Sequence, residues 1–79
     1  MTYSVYYYSN ETLGSIQECE GNDFTWAEAV KWFKHHTTNV TANLGITVMV
    51  RIIDSDDYIV GEWKFGEGIT WPKIKEDSP

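Results

Sequence analysis

From Tyr3 to Tyr8 the chain reads Tyr-Ser-Val-Tyr-Tyr-Tyr, an aromatic and β-branched run closed by Ser9-Asn10, and it predicts a first strand. The turn after it holds Asn10 and Gly14. Ser15–Glu20 is expected as the hairpin partner, ended by Gly21-Asn22-Asp23. Thr25-Trp26-Ala27-Glu28 then has the form of a capping box, with Phe24 placed to staple onto Ala29, so a helix is predicted to start there. Trp26, Ala29, Val30, Phe33 and Thr37 recur at spacings of three and four as one stripe, while Lys31, Lys34 and His35 fall on the other side. Thr37-Thr38-Asn39-Val40-Thr41 is β-branched and weak for helix, so the last turns should fray before Asn43-Leu44-Gly45. Ile46–Ile53 is the strongest strand signal in the chain. Asp54-Ser55-Asp56-Asp57 is a turn by composition, Tyr58–Phe65 returns as a second hairpin, and Gly66 and Gly68 are expected to break it.

The order strand, strand, helix, strand, strand predicts an α+β fold (β-β-α-β-β): a four-stranded, mainly antiparallel sheet with one helix across one face. Strand side chains alternate between faces, so Ile46, Val48, Val50 and Ile52 form the row expected under the helix, and Thr47, Met49, Arg51 and Ile53 the other. In the last strand Ile59, Gly61, Trp63 and Phe65 share one face, and Tyr58, Val60, Glu62 and Lys64 the opposite one. One helix shelters only one side of a sheet. The uncovered side should therefore present Tyr58, Val60, Met49 and tyrosines from the Tyr3–Tyr8 row, an amphipathic surface suited to a protein partner. The alternative is that these tyrosines only stabilise a small sheet through cross-strand pairs, at about 0.2–1 kcal/mol each. Trp32, off the centre of the helix stripe, and Trp71-Pro72, outside the expected strands, are either contact anchors or caps on the edge of a thin core.

Composition narrows the picture. A chain of 79 residues supports one domain, assigned to residues 1–72 with a polar tail at 73–79, and burial of roughly 63% of its surface leaves a thin core. With 42% hydrophobic and 15% aromatic residues, the chain is not of the disordered class. Twelve acidic against six basic residues give a net charge of −6, which argues against direct binding to nucleic acid or an acidic membrane. The longest apolar run, Ile46–Val50, is broken by Thr47 and falls far short of the roughly 18–20 residues of a bilayer span. The first residues have neither the basic nor the apolar region of a signal peptide, and Cys19 is the only cysteine, so cytoplasmic residence is expected.

No reaction centre is legible. Adjacent His35 and His36 point about 100° apart on a helix and cannot both ligate one ion. Counted from Asp54 as a calcium loop, the positions that need Gly and Glu hold Ile59 and Phe65. Cys19 lies between Glu18 and Glu20, which disfavour a thiolate, and Gly66-Glu67-Gly68 lacks the rest of a phosphate loop. Glu62 and Glu67 could be drawn as acid and base, but so short a chain seldom builds the dry cleft such a pair needs. The expectation is a protein without enzymatic activity, cofactor or metal. The acidic residues do gather in sequence, with Glu18, Glu20 and Asp23, then Asp54, Asp56 and Asp57, then Glu76 and Asp77, a pattern that either imitates a phosphate array or serves solubility.

In format the chain resembles the small, acidic, single-domain inhibitors that bacteriophages and mobile elements encode against host defence, the anti-CRISPR proteins above all. The likeness runs along the whole length and rests on the strand-strand-helix-strand-strand plan, Tyr6-Tyr7-Tyr8, the acidic turn Asp54–Asp57 and the lack of catalytic residues. It implies a mode of action, binding a larger nucleoprotein effector and occluding its nucleic-acid site or its assembly; no functional residue transfers. Partner contacts are accordingly expected at Tyr6, Tyr8, Tyr58, Asp54, Asp56, Asp57 and Trp32. A self-associating structural or regulatory module, pairing its bare sheet face with a second copy, is the alternative. Monomer and homodimer both stay open.

Overall fold

The computed structural model describes residues 1–11 and 14–71; the expected polar tail at 73–79, and Pro72, lie outside the described residues. Seven elements follow in order: β1 (Tyr3–Glu11), β2 (Gly14–Phe24), α1 (Trp26–Thr38), α2 (Val40–Asn43), β3 (Thr47–Asp54), β4 (Ile59–Lys64) and β5 (Gly68–Trp71). The strands form one antiparallel sheet in the order β2-β1-β3-β4-β5. The fold is α+β, with five strands and two short helices among the described residues where four strands and one helix were expected.

Both additions have local causes. The glycines expected to end the second hairpin instead reverse the chain: Gly66 and Gly68 adopt φ of 82° and 77°, the Glu67 N–H donates to the Lys64 carbonyl at 3.0 Å, and β5 returns along β4. Trp71, placed outside the strands by sequence, therefore ends the fifth one. At the helix, Asn39 closes one element and opens the next. Its N–H donates to the His35 carbonyl at 3.0 Å, and its side-chain oxygen accepts from the Ala42 N–H at 2.9 Å, so the weak β-branched stretch becomes a second capped turn. The start of α1 is the capping box read from sequence, with the Glu28 N–H donating to Thr25 Oγ1 and the Thr25 N–H to Glu28 Oε1.

Val5, Ala29, Phe33, Val50 and Ile52 make the core between α1 and the centre of the sheet, with Tyr3, Tyr7, Val60 and Trp63 packed around it. Register sets which side chains reach it. Tyr8 pairs with Met49 but Ser9 with Thr47, so Val48 is an extra residue in β3. The expected row Ile46, Val48, Val50, Ile52 is thereby corrected. Ile46 precedes the strand and is exposed, while Thr47 is buried under α2 with its hydroxyl 3.1 Å from that of Thr41. A second shift, between Ile52↔Gly61 and Ile53↔Ile59, makes Val60 the extra residue of β4, and it turns to the helix side instead of the uncovered face assigned to it from sequence. On α1 the buried positions are Ala29, Phe33 and His36; Trp26, counted into the stripe, stays 46% exposed at the edge of Tyr3, and Thr37 is half-buried.

Candidate protein-binding surface

Both helices pack on the face that carries Val5, Tyr7 and Thr47, and the opposite face of the sheet has neither. By the alternation of the pleat, Tyr6 and Tyr8 of β1, Met49, Arg51 and Ile53 of β3, and Glu62 and Lys64 of β4 share that uncovered face. Tyr3 and Tyr7 do not; the tyrosine row splits, two rings to each side. Tyr6 and Tyr8 are half-buried by their neighbours with one surface open.

Arg51 organises this face. Its Nε donates to Glu62 Oε2 at 2.8 Å across the strand pair, and its guanidinium carbon lies 5.7 Å from the centre of the Tyr8 ring. Glu62 is held in turn by the Thr70 hydroxyl, which donates to Oε1 at 2.7 Å. Burial alone would raise the Glu62 carboxyl, but the hydrogen bonds from Thr70 and Arg51, with the charges of Arg51 and Lys64, outweigh it and hold the group below its ordinary range. The face thus presents fixed aromatic and guanidinium groups beside Met49 and Ile53.

The other expected contact residues lie elsewhere. Tyr3 pairs with both Phe24 and Asp54, so Asp23 and the turn after β3 meet at the end of the sheet where β1 begins, and Trp26 packed on Tyr3 brings the start of α1 there too. Asp23, Asp54, Asp56 and Asp57 therefore form one acidic end. Asp54 builds the turn, its Oδ1 accepting from the N–H groups of Asp56 and Tyr58 at 2.9 and 3.0 Å, and Asp57 takes a φ of 67°. Asp56 and Asp57 project into solvent. Tyr58 is not in a strand: it precedes β4 and is 69% exposed at this same end. Trp32 belongs to neither surface. It is half-buried at the margin of the core, near the rings of His35 and His36, as the cap on a thin core that was one of its two expected roles.

Sequence reasoning missed His36, which is 7% exposed. Its ring stacks on Tyr7 at 4.1 Å and 14°, and its Nε2 sits 2.6 Å from Glu20 Oε1, tying α1 to the edge strand β2. Burial, with the nearby charges of Glu18 and Glu20, pushes the Tyr7 phenol above 10.0 and keeps it neutral. The i, i+3 and i, i+4 spacing from Phe33 and Trp32 was the available signal, outweighed by histidine's polarity. Cys19 is a free, exposed thiol on β2. Among the described residues no three His, Cys, Asp or Glu side chains gather at metal-binding distance, and no helix is long and apolar enough to cross a membrane. Compared with protein-family models, with curated proteins and with solved structures, the chain matches none.

Proposed function

We propose that this chain is a non-enzymatic binding protein that acts by occluding part of a larger protein, and that the helix-free face of its sheet makes the contact. The observation that carries the reading is the Tyr8–Arg51–Glu62–Thr70 chain of contacts set among Tyr6, Met49 and Ile53. Tyr, Met and Arg dominate interface cores, and side chains already fixed before binding lose less entropy on docking. In the finer reading, the partner is a nucleic-acid-handling host complex of the kind that anti-CRISPR inhibitors block. The acidic end at Asp23, Asp56 and Asp57, on a chain of net charge −6, supports it, since it complements a basic groove.

The test is capture from host lysate with tagged protein, scored by variant. Tyr6→Ser with Tyr8→Ser should abolish retention of the captured complex, while circular dichroism confirms an intact fold. Asp54 is left in place because it builds its turn; Asp56→Lys with Asp57→Asn instead should weaken capture and reduce its salt dependence. Retention at equal strength by the tyrosine variant refutes the proposed face. A stable dimer dissolved by those same tyrosine substitutions, seen by light scattering, would favour self-association instead.

A further inference from the structure

The helix leaves part of its own side of the sheet uncovered. α1 lies over β1 and β3, and between it and the β4–β5 margin runs a groove of about 570 Å³. That volume falls within the roughly 300–1,000 Å³ typical of small-molecule sites. Trp26, Val30 and Phe33 wall it on the helix side, and Val60 and Ile69 on the sheet side, with Ile69 61% exposed. Gly61 in the floor adds no side chain, and a Cβ there would meet Ile52 Cδ1 at 3.3 Å.

The polar groups come from one stretch of the helix. Among the described residues Lys34 is the only charged one lining the groove, and Thr37 and Thr38 follow it. Both threonine hydroxyls donate to the Lys34 carbonyl, at 3.2 and 2.6 Å, which leaves their oxygens as acceptors. Lys34 is exposed, and among the described residues no carboxylate lines the groove to neutralise it. An apolar trough with a lone ammonium at its polar end is complementary to a molecule with a hydrocarbon body and one negative head. Along the helix axis Lys34 and Trp26 are about 12 Å apart, the reach of a roughly ten-carbon chain.

We propose that this groove binds a medium-chain fatty acid, its carboxylate at Lys34 and its chain lying along Val30, Phe33 and Ile69 toward Trp26. The site lies on the opposite side of the sheet from the tyrosine face and stands independently of the function proposed above. Calorimetric titration with hexanoate, octanoate and decanoate, each below its micelle concentration, tests it. Binding should tighten about fourfold per added methylene up to decanoate, the increment expected when each methylene is buried. Lys34→Gln should weaken decanoate about three- to fivefold and leave 1-decanol unchanged, as expected of an exposed ion pair. Ile69→Glu, at an exposed position on an edge strand, should weaken decanoate at least about tenfold by setting a carboxylate against the ligand. Absence of heat at millimolar decanoate, affinity independent of chain length, equal binding by either variant, or a dimer that Ile69→Glu dissolves would each overturn the assignment.

Discussion

His36→Ala removes the side chain that fastens α1 to the edge of the sheet, and its cost follows from the contacts the ring makes. Loss of the stack on Tyr7, at 4.1 Å and 14°, is worth about 0.5–1.5 kcal/mol. The Nε2 to Glu20 contact at 2.6 Å is a hydrogen bond to an ionised partner, about 1.5–3 kcal/mol when sheltered. The Glu20 side chain keeps 24% of its surface in water, which places this contribution at the low end. Alanine returns up to about 0.7 kcal/mol through its better helix propensity. The net is a destabilisation of about 2 kcal/mol, or roughly 8–16 °C in Tm for a domain of this size. Urea and thermal unfolding followed by circular dichroism at neutral pH measure it directly. His36→Phe preserves a stacking ring but loses the hydrogen bond without alanine's gain in helix propensity, and should cost about 1.5 kcal/mol. A double-mutant cycle of His36→Ala with Glu20→Ala should return a coupling of about 1 kcal/mol. A single-mutant cost below about 0.5 kcal/mol, or a coupling within about 0.3 kcal/mol of zero, would refute the view that this pair pins the helix to β2.

Two further predictions bear on charge and backbone. Because the folded Glu62 carboxyl titrates below its ordinary 4.5, its contribution to stability is fully present above the unfolded value and is lost as pH falls through the folded one. Unfolding curves for the native chain and Glu62→Gln should accordingly converge as pH drops from 6 toward 3 (about one unit per step); a gap independent of pH contradicts the ion-pair network on the open face. Gly45 has φ of 79° with a built Cβ only 3.1 Å from Phe65 Cζ, whereas Gly66 at 82° has nothing within 4 Å. Gly66→Ala should cost about 1 kcal/mol from the left-handed backbone and Gly45→Ala more, because the Phe65 ring must also give way, and thermal melts that reverse this order would disprove the close approach at Phe65.

What was legible along the chain depends on interactions that close within a few residues. Thr25 and Glu28 start the helix by satisfying each other's backbone donors, a reciprocity that a four-residue window displays. Asp54 announces its turn the same way, through N–H groups two and four residues on. Partial alternation over Ile46–Ile53 identified a strand, its sheltered side correct only from Val50 on, and the order of elements was sufficient for an α+β sheet with one bare face, where Tyr6, Tyr8, Met49 and Arg51 lie.

The faces of Val60 and Thr47 and the groove were settled by packing between strands and helix. Each bulge inserts one residue into a strand, at Val48 where β3 meets the distant β1 and at Val60 within the β3–β4 hairpin, and one residue is enough to move every side chain beyond it to the other face. Nothing near Val48 or Val60 in the chain marks that insertion, because the choice is made by how neighbouring strands fit beneath α1. Glu20 and His36, 16 residues apart, meet for the same reason: β2 runs along the sheet margin that the helix overhangs. Local chemistry set the kinds of elements and their ends, and the pairing of remote strands, where twist and core volume are balanced together, chose which atoms each face would show.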